Sequence, residues 1–424
     1  KPILLEQHIE RLEKAADFLQ LRSCSARGFS KEKVSINMQS MIAFYNQLIG
    51  KSDISTDDKK ISWTVNLKKD HEKRAIHHFD ANTFVISSYR PFNKVVLYYH
   101  RPFIERPGLW KQLFPTDNYN NNVIAVSGVG QQKPFTPFIT NRISDLQVVD
   151  KAQYFPLFWY EENKNPQASL FDDAETNHYI RRDGITDWIL KEIRNRFGGT
   201  RAITKEHIFY YVYGLLHSKQ YRERFADDLK KSLPRIPIVD NVQDFMAFYK
   251  AGKELADLHL NYEQGINEQI TGQDGDYPFY ASMPMLAHRS LGVKVIGDID
   301  IWQSEWTDET YQYFVVDKMK FAKVRDENGK LVADKTRIIY NGHITIENIP
   351  LKAYEYVVNG KPAIDWIMER YAVTIDKASQ IKNDPNDWSR EHEQPRYILD
   401  LLLSVIILSC QKVGIVDALP KLGI

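Results

Sequence analysis

The apolar residues of this 424-residue chain keep changing period, and that constrains the fold more than any other feature. Val34, Met38, Met41, Ile42 and Tyr45 recur at helical spacing, while Val95–Tyr99 and Val123–Val126 are short β-rich runs bounded by Pro, Asn and Gly. An earlier helical stripe (Ile3, Leu4, Ile9, Leu12, Ala16, Leu19) breaks at Arg27-Gly28, and Ile61–Leu67 alternates as a strand does. Thr186 is placed to cap a helix over Asp187–Phe197 that Gly198-Gly199 closes. Thr204 precedes a longer helix carrying Ile208, Tyr211, Val212, Leu215 and Leu216, expected to run with one bend to Leu233 and the stops Pro234 and Pro237. Tyr313–Val324 alternates toward a turn at Glu327-Asn328-Gly329, and Asn341-Gly342 predicts a hairpin between Ile338–Tyr340 and Ile344–Ile346. Pro350 and Pro362 each open a helix, Gly360 lies between them, and a last apolar helix covers Tyr397–Val413.

Interleaved helices, strands and hairpins make a mixed α+β fold. The length exceeds one ordinary core. The expected division is a helical segment over residues 1–58, a first mixed lobe over 59–264 and a second over 275–424. Polar Lys51–Lys60 and the Gly/Gln-rich stretch Gly265–Gly275 are the boundaries.

No run reaches the ~18 apolar residues of a membrane span, and Glu6, Glu10, Arg11 and Glu13 interrupt any leader-like start. Cys24 and Cys410 are too few for a disulfide framework, so a cytoplasmic setting is expected. The net charge of +1 hides an uneven distribution. Lys59–Arg142 holds 13 basic against 5 acidic residues, Arg194–Arg235 10 against 4, and Glu254–Phe314 2 against 11. A solvated surface accounts for such blocks, as does a basic face for a polyanion with acidic faces elsewhere.

The search for catalytic chemistry returns little. Gly128 and Gly130 follow a strand, but Gln131-Gln132-Lys133-Pro134 supplies neither a third glycine nor a helix N-terminus for phosphate, which leaves a plain glycine turn. Glu162-Asn163-Lys164 with Asp145 or Asp150 fits a Mg²⁺-nuclease pattern only loosely, and chance alone yields such triplets in a chain this charged. His77-His78 with Asp80 lacks further ligands, and His217 and His259 read as packing residues. The aromatics near basic segments (Tyr98, Tyr99, Phe103, Phe155, Phe158, Trp159, Tyr160) suit a lobe core better than base stacking.

Several segments, in order, resemble the C-terminal part of the type ISP restriction–modification enzymes, the stretch from methyltransferase to target recognition domain. They are Asn37–Asn46 (NMQSMIAFYN), Tyr89–Phe92 (YRPF) running into Lys94–Tyr99, Phe155–Glu161 (FPLFWYE) and His207–Pro237. Ala251–Glu263, Tyr340–Pro350 (YNGHITIENIP), Ala353–Tyr371 and Lys382–Trp388 (KNDPNDW) follow. Such enzymes join a nuclease, an ATP-dependent motor, an adenine-N6 methyltransferase and a recognition domain in one polypeptide. The chain holds no Asn-Pro-Pro-Tyr, no glycine-rich S-adenosylmethionine motif and no helicase motif. The resemblance therefore implies a segment behind the methyltransferase motifs, not catalytic alone and without a cofactor of its own. S-adenosylmethionine, ATP and Mg²⁺ would serve the full-length enzyme. The implied partners are double-stranded DNA and the upstream methyltransferase and helicase–nuclease domains, with no membrane. A protein-interaction scaffold that couples motor and modification parts is the alternative.

DNA recognition separates into phosphate contacts, which give affinity, and base contacts, which give sequence. Arg90, Lys94, Arg101, Arg106, Lys111 and Arg142 are the phosphate candidates in the first lobe, and Lys318, Lys320, Lys323, Arg325 and Arg337 those in the second. Asn120, Asn121, Asn122, Gln131, Gln132 and Lys133, from polar turn-rich segments, are the base-reading candidates.

Overall fold

The computed structural model describes residues 26–50, 64–104, 107–116, 119–164, 178–263, 291–297, 307–375 and 381–423. The stripe before Arg27, the Lys51–Lys60 and Gly265–Gly275 boundaries, Arg106 and much of the acidic run lie outside these residues.

After β1 (Arg27–Gly28), Ser30 caps α1 (Lys31–Leu48) by accepting from the Lys33 amide at 3.0 Å. The Glu391 carboxylate takes the Lys31 and Glu32 amides at 3.0 and 3.1 Å, so a residue from the far end of the chain completes the cap. The described part of the expected strand Ile61–Leu67 is instead helical: α2 (Val65–Glu72) begins where Thr64 caps the Leu67 amide. The cap overrides the alternation, and only Leu67 of this helix is buried.

β2 (Phe84–Arg90) and β3 (Asn93–Tyr98) form a hairpin with β1 on its outer edge. Its turn is the Tyr89–Phe92 segment, where Phe92 takes φ 55° and points its ring into the core against Phe138, Tyr262 and Tyr356. After α3 (Trp110–Leu113), β4 (Val123–Val126) pairs with both β5 (Pro137–Thr140) and β6 (Gln153–Pro156). Every residue of β4 and β5 is buried, because the sheet has a core on each face. Ala125 and Phe138 join one cluster, Ile124, Val126 and Ile139 the other.

β7 (Phe158–Glu162) pairs with β8 (Tyr179–Asp183), and α4 (Asp187–Arg196) follows with Thr186 as its cap. α5 (Lys205–His217) starts at the Thr204 cap but stops at Ser218, whose hydroxyl caps α6 (Lys219–Arg224). With α7 (Asp228–Lys231) this makes three helices where one bent helix was expected. α8 (Val242–Leu260) crosses α5 with glycine against glycine. A Cβ on Gly214 would meet Phe248 O at 2.2 Å and one on Gly252 would meet Tyr210 O at 1.9 Å.

β9 (Lys294–Gly297), β10 (Lys320–Arg325), β11 (Leu331–Ile339) and β12 (Ile344–Glu347) form a sheet in the order β10-β11-β12-β9. Between β9 and β10 lies α9 (Asp308–Gln312); Phe314 N and Val315 N turn back to donate to Tyr311 O and Gln312 O, so the strand expected over Tyr313–Val324 forms only in its last part. The Asn341-Gly342 hairpin forms without positive φ at either residue. Asn341 shapes it through its side chain, accepting from the His343 and Ile344 amides at 2.9 and 2.8 Å. The Asn-Gly pair with both φ positive is Asn359-Gly360, at 52° and 78°, joining Val357–Val358 to Lys361–Pro362. Past Pro350 only a 3₁₀ turn forms; α10 (Ala363–Arg370), α11 (Asn386–Glu391) and α12 (Tyr397–Asp417) complete the chain. α12 is long and apolar enough to cross a bilayer by length and composition, but 67% of its apolar window is buried inside the protein.

The main core unites Phe92, Phe138 and Tyr262 with β11, β12, α10 and α12. The second gathers α5 and α8 on β4–β5 and extends to Val416 of α12. Apolar contact thus runs across the expected lobe boundary.

Candidate nucleic-acid interface

Of the eleven expected phosphate-gripping residues, several are already paired. Arg90 donates to Asp145 at 2.8 Å and shares that carboxylate with Arg27 at 3.1 Å; both guanidiniums stack on Tyr89, at 4.2 and 3.8 Å. Lys94 holds Glu263 at 2.7 Å, and burial pushes its ammonium below the ordinary lysine range against the pull of that carboxylate. Arg337 lies between Asp334 (3.1 Å) and Glu347 (3.7 Å), and Arg325 closes its own hairpin by donating to Gly329 O at 2.7 Å. Lys318, Lys320 and Lys323 are exposed, the last two on the edge strand β10, where lysines also block edge-to-edge pairing. Arg101 is exposed in a 3₁₀ turn that packs against α2.

Three cations from separate parts of the chain do converge. Lys31, Lys111 and Arg142 line a groove of about 450 Å³ together with Asn120, Asn141 and the exposed Ile86, and among the described residues no Asp or Glu lines it. Local structure fixes each member. Lys31 occupies the first turn of α1, where the Ser30–Glu391 cap holds the backbone. Lys111 rides on α3, whose last turn is tied down because Asn121 Nδ2 donates to Leu113 O (3.1 Å) and Phe158 O (2.6 Å) while its Oδ1 accepts from Phe158 N (3.0 Å). Arg142 follows a turn in which Thr140 Oγ1 donates to Arg142 O (3.0 Å) and accepts its amide (3.3 Å). Arg142 Nε donates to Asn141 Oδ1 at 3.1 Å, which orients both over the groove.

The base-reading candidates divide in the same way. Asn120 is exposed in the groove with only its backbone oxygen engaged, by Tyr160. Asn121 is buried and its amide is taken up by backbone, and Asn122 donates to Tyr210 Oη at 2.9 Å. Gln131, Gln132 and Lys133 lie at the opposite end of the β4–β5 ladder, where Asp150 accepts the Gln132 and Lys133 amides. Sequence reasoning missed Lys31 and Asn141. Arg142 could have pointed to its neighbour Asn141, but nothing in sequence brings Lys31 near.

Among the described residues no group of three or more His, Cys, Asp and Glu has metal-ligating geometry. The Gly128 and Gly130 amides, the donors a phosphate loop would need, are already given to Asp150 O and Lys230 O. Asp145 is committed to Arg27 and Arg90. His259 lies between Tyr213 Oη (2.6 Å) and Tyr356 Oη (2.7 Å), and burial drops it to about 3, so it stays neutral. The groove offers positive charge and amides, the chemistry of polyanion contact and edge reading.

The family model of the Type ISP C-terminal specificity domain matches residues 25–401. No curated protein matches the chain in sequence. Among solved structures, the chain is similar to the ATP-dependent Type ISP restriction-modification enzyme LlaBIII bound to DNA, with 34% identity and a TM-score of 0.72 over 94% of this chain and 22% of that one. It is also similar to a nuclease-deletion mutant of the Type ISP enzyme LlaGI in complex with a DNA substrate mimic (33% identity, TM-score 0.69, 94% and 27% covered). A DrdV–DNA complex shares 25% identity with a TM-score of 0.70 over 93% of this chain and 34% of that one. The chain thus spans between 22% and 34% of the length of these proteins.

Proposed function

Because the chain belongs to the Type ISP C-terminal specificity domain family, we propose that it recognises duplex DNA through the groove between α1, α3 and β5. The carrying observation is the convergence of Lys31, Lys111 and Arg142, from separate elements, on one groove that no carboxylate among the described residues lines. On this reading those cations neutralise backbone phosphates, and Asn120 and Asn141 read base edges, where asparagine pairs bidentately with adenine N6 and N7. Lys318, Lys320 and Lys323 are second phosphate contacts.

Within a full-length enzyme the chain sets the target site against the methyltransferase, which takes an adenine out of the stack for N6 methylation. S-adenosylmethionine, ATP and Mg²⁺ belong to the catalytic parts of such an enzyme. The chain alone supplies binding and no catalysis, in a cytoplasmic setting.

The test is titration of labelled mixed-sequence duplex over a range of salt. Lys111→Glu with Arg142→Glu is expected to weaken binding about 100-fold at low salt and to flatten the log–log salt slope by roughly two. Both side chains reach the groove, so the fold should persist, checked by circular dichroism. Binding equal to wild type at every salt concentration would sink the proposal.

A further inference from the structure

The β4–β5 ladder carries a second basic site at its other end. The tip near Gln131 faces α6 and α7 across a basin of about 560 Å³ lined by Lys133, Lys219, Arg222, Lys230 and one acid, Glu223. Lys219 and Lys230 have carboxylate partners, Asp417 at 2.7 Å and Asp227 at 3.2 Å. Arg222 and Lys133 make no ion pair among the described residues, and Arg222 Nε is buried without a hydrogen-bond partner. A buried guanidinium N–H without an acceptor is costly, so the missing acceptor points outside the protein. Gln131 Oε1 is buried and unpartnered too, and turning that amide over would aim its NH₂ at an incoming oxygen.

Near Arg222 lies Lys412 of α12, only 5% exposed, with its ammonium 4.8 Å from the centre of the Tyr356 ring. Burial, then Arg222 and Lys219, lower Lys412 to about 7, while Asp417 and Glu355 pull the other way. His217 and His259, also close by, are held neutral by burial. Arg222, Lys133 and Lys412 bring positive charge together, and none of the three has an ion-pair partner among the described residues.

We propose that this basin binds a phosphate-class oxyanion, with Arg222 as its anchor and Lys133 and Lys230 at its rim. A bound oxyanion gives Arg222 its acceptor and favours the charged form of Lys412, so binding takes up a proton wherever Lys412 starts neutral. The same chemistry is offered by a free inorganic anion and by a phosphodiester of duplex DNA.

Sulfate, which does not titrate near neutrality, is the probe. It is followed by calorimetry on the whole chain at pH ~8, in two buffers of different ionisation enthalpy. One saturable site with proton uptake is expected. Arg222→Met should weaken sulfate at least ~10-fold, since a charge-assisted anchor is lost. Should that variant fold poorly, Lys133→Gln with Lys230→Gln on the exposed rim should weaken it roughly threefold. Lys412→Met should bind sulfate without proton uptake. Absence of saturable binding, or full affinity in both the anchor and rim variants, overturns the site; unchanged uptake in Lys412→Met removes Lys412 from it. Displacement of sulfate by added duplex identifies a backbone phosphate as the ligand, and simultaneous binding identifies a free anion. Because sulfate is read without DNA, this site and the DNA-reading groove fail independently.

Discussion

Asn120 and Asn121 are neighbours in sequence and belong to different regions of the molecule. Asn120 is exposed in the groove with no side-chain hydrogen bond among the described residues, whereas Asn121 is buried and bonded to Leu113 and Phe158 backbone. The two asparagines differ in how the fold uses their side chains. Several interior amides are held by backbone: Asn386 exchanges hydrogen bonds with Val316 N and O at 3.0 and 2.7 Å, and Asn341 donates to Tyr313 O and Val315 O. The segments that carry the family resemblance, Tyr89–Phe92, Tyr340–Pro350 and Lys382–Trp388, supply turns and backbone clamps of this kind. What the contrast teaches is that the segments of the family resemblance include groups that hold the fold, while a side chain such as Asn120 is left available for the proposed recognition of DNA.

The largest break in that contrast should come from Gly252→Ala. Its added methyl meets backbone at 1.9 Å, so a loss of roughly 3 kcal/mol or more in denaturant unfolding is expected, with the DNA salt slope of the folded fraction unchanged. Next is the adjacent pair. Asn121→Ala should cost about 2–3 kcal/mol of stability by stranding backbone groups, and leave sequence preference intact once folded. Asn120→Ala should do the reverse, keeping stability and losing about 1–2 kcal/mol of discrimination between the preferred duplex and a mixed-sequence one. If both variants move the same readout, the division between groove and interior fails.

The smallest effect concerns pH. Lys412 has a folded value of about 7, below its unfolded one, so the unfolded chain binds the extra proton between the two and stability rises with pH there. Below about 7 the cost of the buried charge is present in full. Relative to Lys412→Met, the wild type should gain about 1 kcal/mol between pH ~7 and ~8 in low-anion buffer. A flat difference between the two proteins over that window would show that Lys412 keeps its proton.

Features set by near neighbours in sequence were legible before the structure. The caps at Thr186 and Thr204, the stripe of α1 and the turn at Gly329 each need only a few consecutive residues. Features set at a distance were not. Counting charges marked Arg90 and Lys94 as free cations because their carboxylates, Asp145 and Glu263, lie 55 and 169 residues away. Ser218 looked like an ordinary position inside a helix until its hydroxyl was seen capping the next one. Of the residues that line the groove, local composition singles out Lys111, Arg142 and Asn120, but no pattern could supply Lys31, since only folding carries α1 there.

The glycine-on-glycine crossing of α5 and α8 has a consequence for whatever lies on the sheet above it. Backbones in direct contact leave no side-chain cushion to slide on, and β4–β5 rests on this pair from one side and on the main core from the other. The span from groove to basin is therefore a fixed yardstick. For a duplex that occupied both the proposed groove and the proposed basin, the work of adjustment would fall on the DNA, and stiff and pliant sequences would be told apart without being touched.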